Sequence, residues 1–169
     1  MTLPQLAKLA LETYIKEGKV ILPPPGLPER FLQEKRGTFV TLEKKGQLRG
    51  CIGTYLPTKE NIALEVISNA IAAGSKDWRF GPVKEEELPF LSYTVYILQK
   101  PERVFSLKEL DPKRYGIIVK SGFKTGLLLP DLEGVDTIEK QIAIACQKAG
   151  IDPALEEIEI WKFKVEKFQ

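Results

Sequence analysis

The chain has 169 residues, of which 43% are hydrophobic and 28% are charged, and its net charge is +2. This length provides one hydrophobic core, or one core with a small added lobe, and the composition is typical of a globular protein. The small net charge argues against a nucleic-acid or acidic-membrane partner, and no apolar run approaches the ~20 residues that a bilayer span needs.

The chain contains no histidine, and its only cysteines are Cys51 and Cys146. Ser-His-Asp and Cys-His catalysis within the chain are therefore excluded, as is every histidine-ligated metal site. The acidic loop 131–136 lacks the EF-hand spacing, so we predict a solvated loop and no metal site. Because the N-terminus lacks the pattern of a signal peptide, we expect a cytoplasmic protein with reduced thiols.

The first predicted element is an amphipathic helix. Thr2 and Gln5 match a capping box, apolar residues recur at helical spacing from Leu3, and Gly18 is a natural stop. The proline-rich segment 22–28 must be extended and cannot be a central strand. We interpret it as a stiff surface connector or a strap across the core.

A β-hairpin and a second long helix are predicted next. β-branched and aromatic residues over 38–43 and the returning segment 48–55 flank a turn that contains glycine. Thr58 is the predicted N-cap of the helix, and Gly74 is its predicted end. Residues 75–83 then form a predicted loop.

The remaining chain predicts further strands and a third long helix. Residues 90–99 predict a long strand and 115–129 a second hairpin, while Asp136 and Gly150 are the predicted ends of the helix. The C-terminal segment alternates as one strand with a bulge at 160–161. Because the strands come mostly as hairpins, we predict an α+β fold with a mainly antiparallel sheet flanked by helices.

The motif LRGCIGT at residues 48–54 places a cysteine between two glycines inside a predicted strand. Arg49 and Cys51 share one face of the strand, roughly 7 Å apart at the backbone, where a guanidinium could lower the thiol pKa. Gly50 and Gly53 would let a ligand approach closely. In the alternative interpretation Cys51 is a small buried hydrophobic residue, and the glycines accommodate a tightly packed helix.

A second polar group lies in the predicted loop, in the sequence DWRFGP at residues 77–82. Charges among aromatic residues are normally paired, so Asp77 could cap backbone amides while Arg79 pairs locally or stacks on Trp78. Alternatively, Asp77 and Arg79 line a pocket near the Cys51 strand. The sequence leaves both interpretations open.

Four stretches carry a resemblance to a known family: GTFVTL followed by LRGCIGT, AAGSKDWRFGPV, GLLLPDLEGVDT and KAGI. They resemble the AMMECR-type domain, and in particular its prokaryotic branch called AmmeMemoRadiSam system protein A, in register over residues 5–168. Trp78 stands where proline is common in that family.

The resemblance implies a single AMMECR-type domain over residues 1–169. It implies a main lobe, a small lobe that we place around 100–135, and a cleft between the two. It also implies partners, namely a Memo-like protein and a radical SAM protein. It implies neither a reaction nor a cofactor.

Two functional hypotheses follow. In the first, the cleft binds a small anionic molecule, Cys51 is a nucleophile or redox thiol activated by Arg49, and Asp77 orients an arginine or acts as a base. The ligand-binding candidates are then Gly50, Gly53, Thr54 and Arg79. In the second, the domain is a non-catalytic interaction or scaffold module in which Cys51 is structural.

Overall fold

The computed structural model describes all 169 residues, which form two compact units. The first unit comprises Met1–Ile97 with Glu166–Gln169, and the second comprises Leu98–Val165. The helices are α1 (Leu3–Glu17), α2 (Glu29–Gln33), α3 (Ile62–Ser75) and α4 (Ile138–Ala149). The strands are β1 (Thr38–Lys44), β2 (Gln47–Gly53), β3 (Leu91–Leu98), β4 (Glu102–Val104), β5 (Gly116–Ser121), β6 (Lys124–Leu128), β7 (Glu159–Phe163) and β8 (Val165–Phe168).

Two four-stranded sheets give the molecule an α+β architecture with antiparallel pairing, which confirms the predicted fold class. The first sheet has the strand order β2-β1-β3-β8, so β2 is an outer strand. The predicted hairpin forms between β1 and β2, and it turns at Lys45 and Gly46, both with positive φ. Val40, Leu42 and Val95 are fully buried in the core of this unit.

Helix α1 follows the sequence prediction closely. Thr2 and Gln5 form the capping box, and Gly18 ends the helix in the left-handed conformation. The buried residues of α1 repeat at helical spacing because only one face packs on the core. They are Leu3, Leu6, Ala7, Ala10 and Leu11.

Helix α3 begins later than predicted. Asn61 is the N-cap, and its side chain accepts a hydrogen bond from the Leu64 amide, so the assignment of Thr58 was wrong. The Thr58 hydroxyl instead donates to the buried carboxylate of Glu65 at 2.8 Å. A buried carboxylate is stabilised by such donors, so the Thr58 side chain bonds to Glu65 and does not cap the helix. Gly74 lies inside the helix, where α3 packs closely against Leu11 of α1.

The second unit contains its own sheet, with the order β4-β7-β5-β6, and helix α4. Thr137 caps α4 through a hydrogen bond from the Lys140 amide, so the assignment of Asp136 as N-cap was wrong. Asp136 instead forms an ion pair with Lys113 at 3.1 Å. Gly150 ends α4 as predicted.

The C-terminal segment differs from the predicted single bulged strand. β7 ends at Phe163 and β8 begins at Val165, and the two strands belong to different sheets. The second unit, Leu98–Val165, contains α4 and β7 in addition to the strands within residues 100–135. None of the helices has both the length and the apolar character that crossing a membrane requires.

Candidate functional site

The outer strand β2 and the loop that follows α3 form the candidate site. Gly50 faces α3, and a Cβ atom there would overlap the carbonyl oxygen of Ala73. This close approach brings the end of α3 against the strand. The amide of Val83 donates to the carbonyl of Gly74 at 2.7 Å, which folds the loop 76–82 back beside β2.

Asp77 and Arg79 bind the outward-facing backbone groups of Cys51. The Asp77 Oδ2 atom accepts hydrogen bonds from the Cys51 amide at 2.9 Å and from Arg79 Nη2 at 2.7 Å. Arg79 Nη2 in turn donates to the Cys51 carbonyl at 3.3 Å. The ion pair therefore pairs with the outer edge of β2 as a neighbouring strand would.

The charges of this pair are mutually stabilised. The hydrogen bond from Arg79 lowers the pKa of Asp77 to about 2, although burial opposes the shift. The hydrogen bond to Asp77 raises the pKa of Arg79, and attraction to Cys51 adds a smaller contribution. Asp77 is only 4% exposed. A carboxylate held this strongly as an acceptor has a positioning role and is a poor general base near neutral pH.

The Cys51 thiol is half-buried and contacts a hydroxyl across the hairpin. Thr41 is its partner in the β1–β2 register, and Thr41 Oγ1 lies 3.2 Å from Cys51 Sγ as a hydrogen-bond donor. We did not predict a role for Thr41 from the sequence. Its position opposite Cys51 becomes evident only from the hairpin register.

Arg49 pairs with a carboxylate that the sequence analysis missed. Arg49 Nη2 lies 2.8 Å from Glu87 Oε2, and the two side chains are 14% and 12% exposed. Arg49 also donates to the carbonyls of Gly81 and Pro82 at 3.1 and 3.2 Å. Arg49 thus donates four hydrogen bonds, two to carbonyls of the loop 76–82 and two to Glu87 in the turn that follows it.

Glu87 receives a second cation, because Lys44 Nζ lies 2.8 Å from its Oε1 atom. The hydrogen bond from Arg49 is the main cause that holds the pKa of Glu87 well below its usual range. Glu87 belongs to an acidic run, EEE, in which nothing in the sequence distinguishes one carboxylate from its neighbours. The long separation from Arg49 explains why the pair was not predicted.

The remaining predicted ligand-binding positions are occupied by packing and internal bonds. A Cβ atom at Gly53 would overlap the ring of Phe39 and the carbonyl of Thr38. The Thr54 hydroxyl donates to Glu65 Oε1 at 2.6 Å. Gly50, Gly53 and Thr54 therefore shape the strand and its surroundings, whereas Cys51, Asp77 and Arg79 come together.

A buried polar network lies next to β2. The carboxylate of Glu65, 1% exposed, accepts four hydrogen bonds from the hydroxyls of Thr54 and Thr58 and the amides of Thr58 and Lys59. Asn69 donates to the carbonyl of Thr38 at 3.0 Å. The signal for this network is the placement of Glu65 and Asn69 four residues apart on a mainly apolar helix.

The chain contains no cluster of three or more His, Cys, Asp or Glu side chains that could hold a metal ion. Its acidic loop is organised instead by a cation. Lys113 Nζ lies 3.1 Å from Asp136 and 3.9 Å from Asp131.

Comparisons with known proteins agree with this architecture. A protein of Thermotoga maritima is 52% identical over 160 residues, which cover 94% of this chain and 92% of that protein. A protein of Clostridium acetobutylicum is 48% identical over 162 residues, which cover 95% of this chain but 34% of that longer protein. The crystal structure of the uncharacterised protein PH0010 from Pyrococcus horikoshii gives a TM-score of 0.90 at 36% identity, covering 98% of this chain and 88% of the other. The AMMECR1 family model matches residues 4–168, and the chain belongs to the AMMECR1 family.

Proposed function

We propose that this protein binds a small anionic ligand at the outer edge of β2, with the Cys51 thiol as the reactive group. The observation that carries the proposal is the contact between Thr41 Oγ1 and Cys51 Sγ at 3.2 Å, beside the Arg79 guanidinium, which donates to the Cys51 carbonyl at 3.3 Å. A hydroxyl donor and a cation both stabilise negative charge on sulfur, which is the form that reacts.

Arg79 takes the cationic role in this proposal, in place of Arg49. The Arg79 side chain is 43% exposed, and its hydrogen bonds use Nε and Nη2, which leaves the Nη1 group for an anion. Asp77 fixes the orientation of the guanidinium through Oδ1 and Oδ2. A planar guanidinium held in this way suits a carboxylate or a phosphate group.

The test compares alkylation of Cys51 by neutral iodoacetamide and by anionic iodoacetate, with the labelled peptide identified by mass spectrometry. We expect Arg79→Gln to lower the iodoacetate-to-iodoacetamide rate ratio about threefold to tenfold, because it removes one attractive charge near the sulfur. Thr41→Val should slow both reagents. Arg103→Gln, which replaces an exposed arginine of the second unit, is the control. Equal ratios in wild type and Arg79→Gln would refute the anion site.

A second candidate function is a protein-interaction module, which two exposed aromatic side chains favour. Trp78 is 90% exposed and Phe80 is 37% exposed, and they flank Arg79 in the sequence. Tryptophan and arginine are the residues that most often dominate binding energy at protein interfaces. In the Clostridium relative the matching region is 34% of the length, which supports a domain that functions together with other protein segments.

The candidate partners are the Memo-like and radical SAM proteins that the family resemblance implies. Titration calorimetry with each purified partner would compare Trp78→Ala, Cys51→Ala and, as a control, Phe123→Ala, which truncates an exposed aromatic residue of the second unit. Loss of binding in Trp78→Ala alone would favour the interaction module. Absence of binding by the wild-type protein would remove this candidate.

A further inference from the structure

A groove in the first unit lies on the outer face of α3. It has a volume of about 680 Å³ and runs between α3 and the segment 20–22 that follows α1. Leu64, Ser68 and Ala72 line it at intervals of four residues, so they form one stripe along the helix. The groove belongs to neither the Cys51 site nor the buried network of Glu65.

The wall of the groove is unusually apolar for an exposed surface. Val20 and Leu22 are 65% and 80% exposed, although their neighbour Ile21 packs against the core. Exposed apolar surface that is gathered along one groove indicates a binding site, whereas scattered apolar residues carry no such meaning. The volume lies within the range of about 300–1,000 Å³ that is typical of small-molecule sites.

The charges at the ends of the groove have one sign. Lys59 precedes the N-terminus of α3 and Lys76 follows its C-terminus, and both side chains line the groove. No acidic residue is among the lining residues. From Leu64 to the C-cap Lys76 the backbone rises ~18 Å, so the lining residues extend over that length. An apolar channel with a cation at each end is complementary to a chain-like molecule that carries an anionic end.

We infer that this groove binds a small amphiphile with an unbranched hydrocarbon chain and a carboxylate head group, of the fatty-acid type. The chain lies along Leu64, Ser68 and Ala72, and the carboxylate lies against Lys59 or Lys76. The two lysines provide the charge complementarity that selects an anion over a neutral chain. The inference is independent of the chemistry proposed at Cys51.

Isothermal titration with octanoate, decanoate, dodecanoate and dodecanol tests the inference on the full chain. We expect affinity to rise about twofold to fourfold for each added methylene group, because each is buried from water. Dodecanol should bind several-fold more weakly than dodecanoate, because it lacks the charge. Equal affinity of dodecanol and dodecanoate, or no dependence on chain length, would overturn the inference.

Matched variants locate the site. Ala72→Trp fills the groove and should abolish binding, whereas Ala143→Trp on the exposed face of α4 should not. Lys59→Glu or Lys76→Glu should weaken dodecanoate binding about threefold to tenfold, and the sensitive lysine marks the position of the carboxylate. Lys167→Glu, an exposed lysine of β8, is the charge control. Unchanged affinity in Ala72→Trp and in both groove-lysine variants would refute the site.

The groove could alternatively be covered by a second copy of the chain. Sedimentation of the wild type and of Ala72→Trp distinguishes this occupant from a fatty acid. A wild-type dimer that Ala72→Trp dissociates, together with the absence of dodecanoate binding, would overturn the inference. A species that remains monomeric while it binds dodecanoate would support it.

Discussion

Asp77 accepts four hydrogen bonds from three donor groups on one buried carboxylate. The donors are the Cys51 amide, the Arg79 amide at 3.3 Å and the Arg79 guanidinium. Their hydrogen bonds strongly favour the ionised form of the carboxyl group. Its pKa of about 2 in the folded protein lies below the ordinary value of 3.8. A carboxyl group whose pKa is lower in the folded state contributes stability above its unfolded pKa, and that contribution disappears as the pH falls through the folded pKa.

The first prediction therefore concerns the pH dependence of Asp77→Asn. At pH 7 the variant should lose about 1–2 kcal/mol of unfolding free energy, a value reduced by the solvent exposure of Arg79. The difference from wild type should shrink between about pH 4 and pH 2, because the wild-type carboxylate takes up a proton there. Urea unfolding at several pH values measures it. Glu133→Gln in an exposed loop is the control, and a pH-independent difference would contradict the assignment.

The residues of the site differ in how well the sequence predicted them. Cys51, Asp77 and Arg79 were identified because a cysteine among glycines and a close acid–base pair stand out locally. Thr41 and Glu87 were not, because their roles depend on a strand register and on a contact between distant segments. Local spacing carries no information about either.

At the scale of elements, one ion pair links β2 to the 3-10 turn at Glu85–Phe90. Arg49 lies on the strand and Glu87 lies on the turn, and both side chains are largely buried. A second pair in the same unit, Arg30–Glu166, has a distance of 2.6 Å but exposures of 43% and 41%. The two pairs differ in burial and in bonding, because Arg49 makes two hydrogen bonds to Glu87 whereas Arg30 makes one to Glu166.

The second prediction is a double-mutant cycle on each pair. We expect a coupling energy of about 2–3 kcal/mol for Arg49→Met with Glu87→Gln, since the pair is largely shielded from water and loss of Glu87 leaves the Arg49 charge without a carboxylate. The cycle Arg30→Met with Glu166→Gln should give below about 1 kcal/mol, because water screens that pair. Urea unfolding of the variants measures both values. Equal coupling in the two cycles would show that neither burial nor the second hydrogen bond strengthens the Arg49–Glu87 pair.

Element boundaries show where sequence patterns are sufficient and where they are not. The start of α1 was predicted correctly because Thr2 has no competing use. The start of α3 was not, because Thr58 serves a buried carboxylate that only the folded structure reveals. The break between β7 and β8 was missed because apolar residues keep alternating without a change of phase across Lys164, from Trp161 and Phe163 to Val165.

At the scale of the whole molecule, the two units share one packing device. In the first, Gly50 of β2 meets the carbonyl oxygen of Ala73 in α3. In the second, Gly126 of β6 meets the carbonyl oxygen of Ala145 in α4. Each glycine lets a helix backbone approach the sheet more closely than any side chain would allow. Each unit also contains one cysteine, so its opening can be followed by thiol labelling.

The third prediction uses Cys146 as the reporter of the second unit. Cys146 is 1% exposed, and burial raises the pKa of its thiol, so native labelling should be slow. Gly126→Ala should destabilise the protein by about 2–4 kcal/mol, because the opposing carbonyl is backbone and cannot rotate away. Labelling of Cys146 should then accelerate at least about tenfold. Thr125→Ala, at the adjacent exposed position, should leave the rate unchanged, and similar rates in both variants would refute the role of Gly126.

The ion pair on β2 also has a consequence for association between chains. An uncovered strand edge is a template on which another molecule can add a strand, and it is a common origin of aggregation. Asp77 and Arg79 occupy the amide and carbonyl of Cys51 that would begin such an addition. Acid near pH 2, which protonates Asp77, removes this protection, so fibrous or amorphous assembly under those conditions would start from this strand.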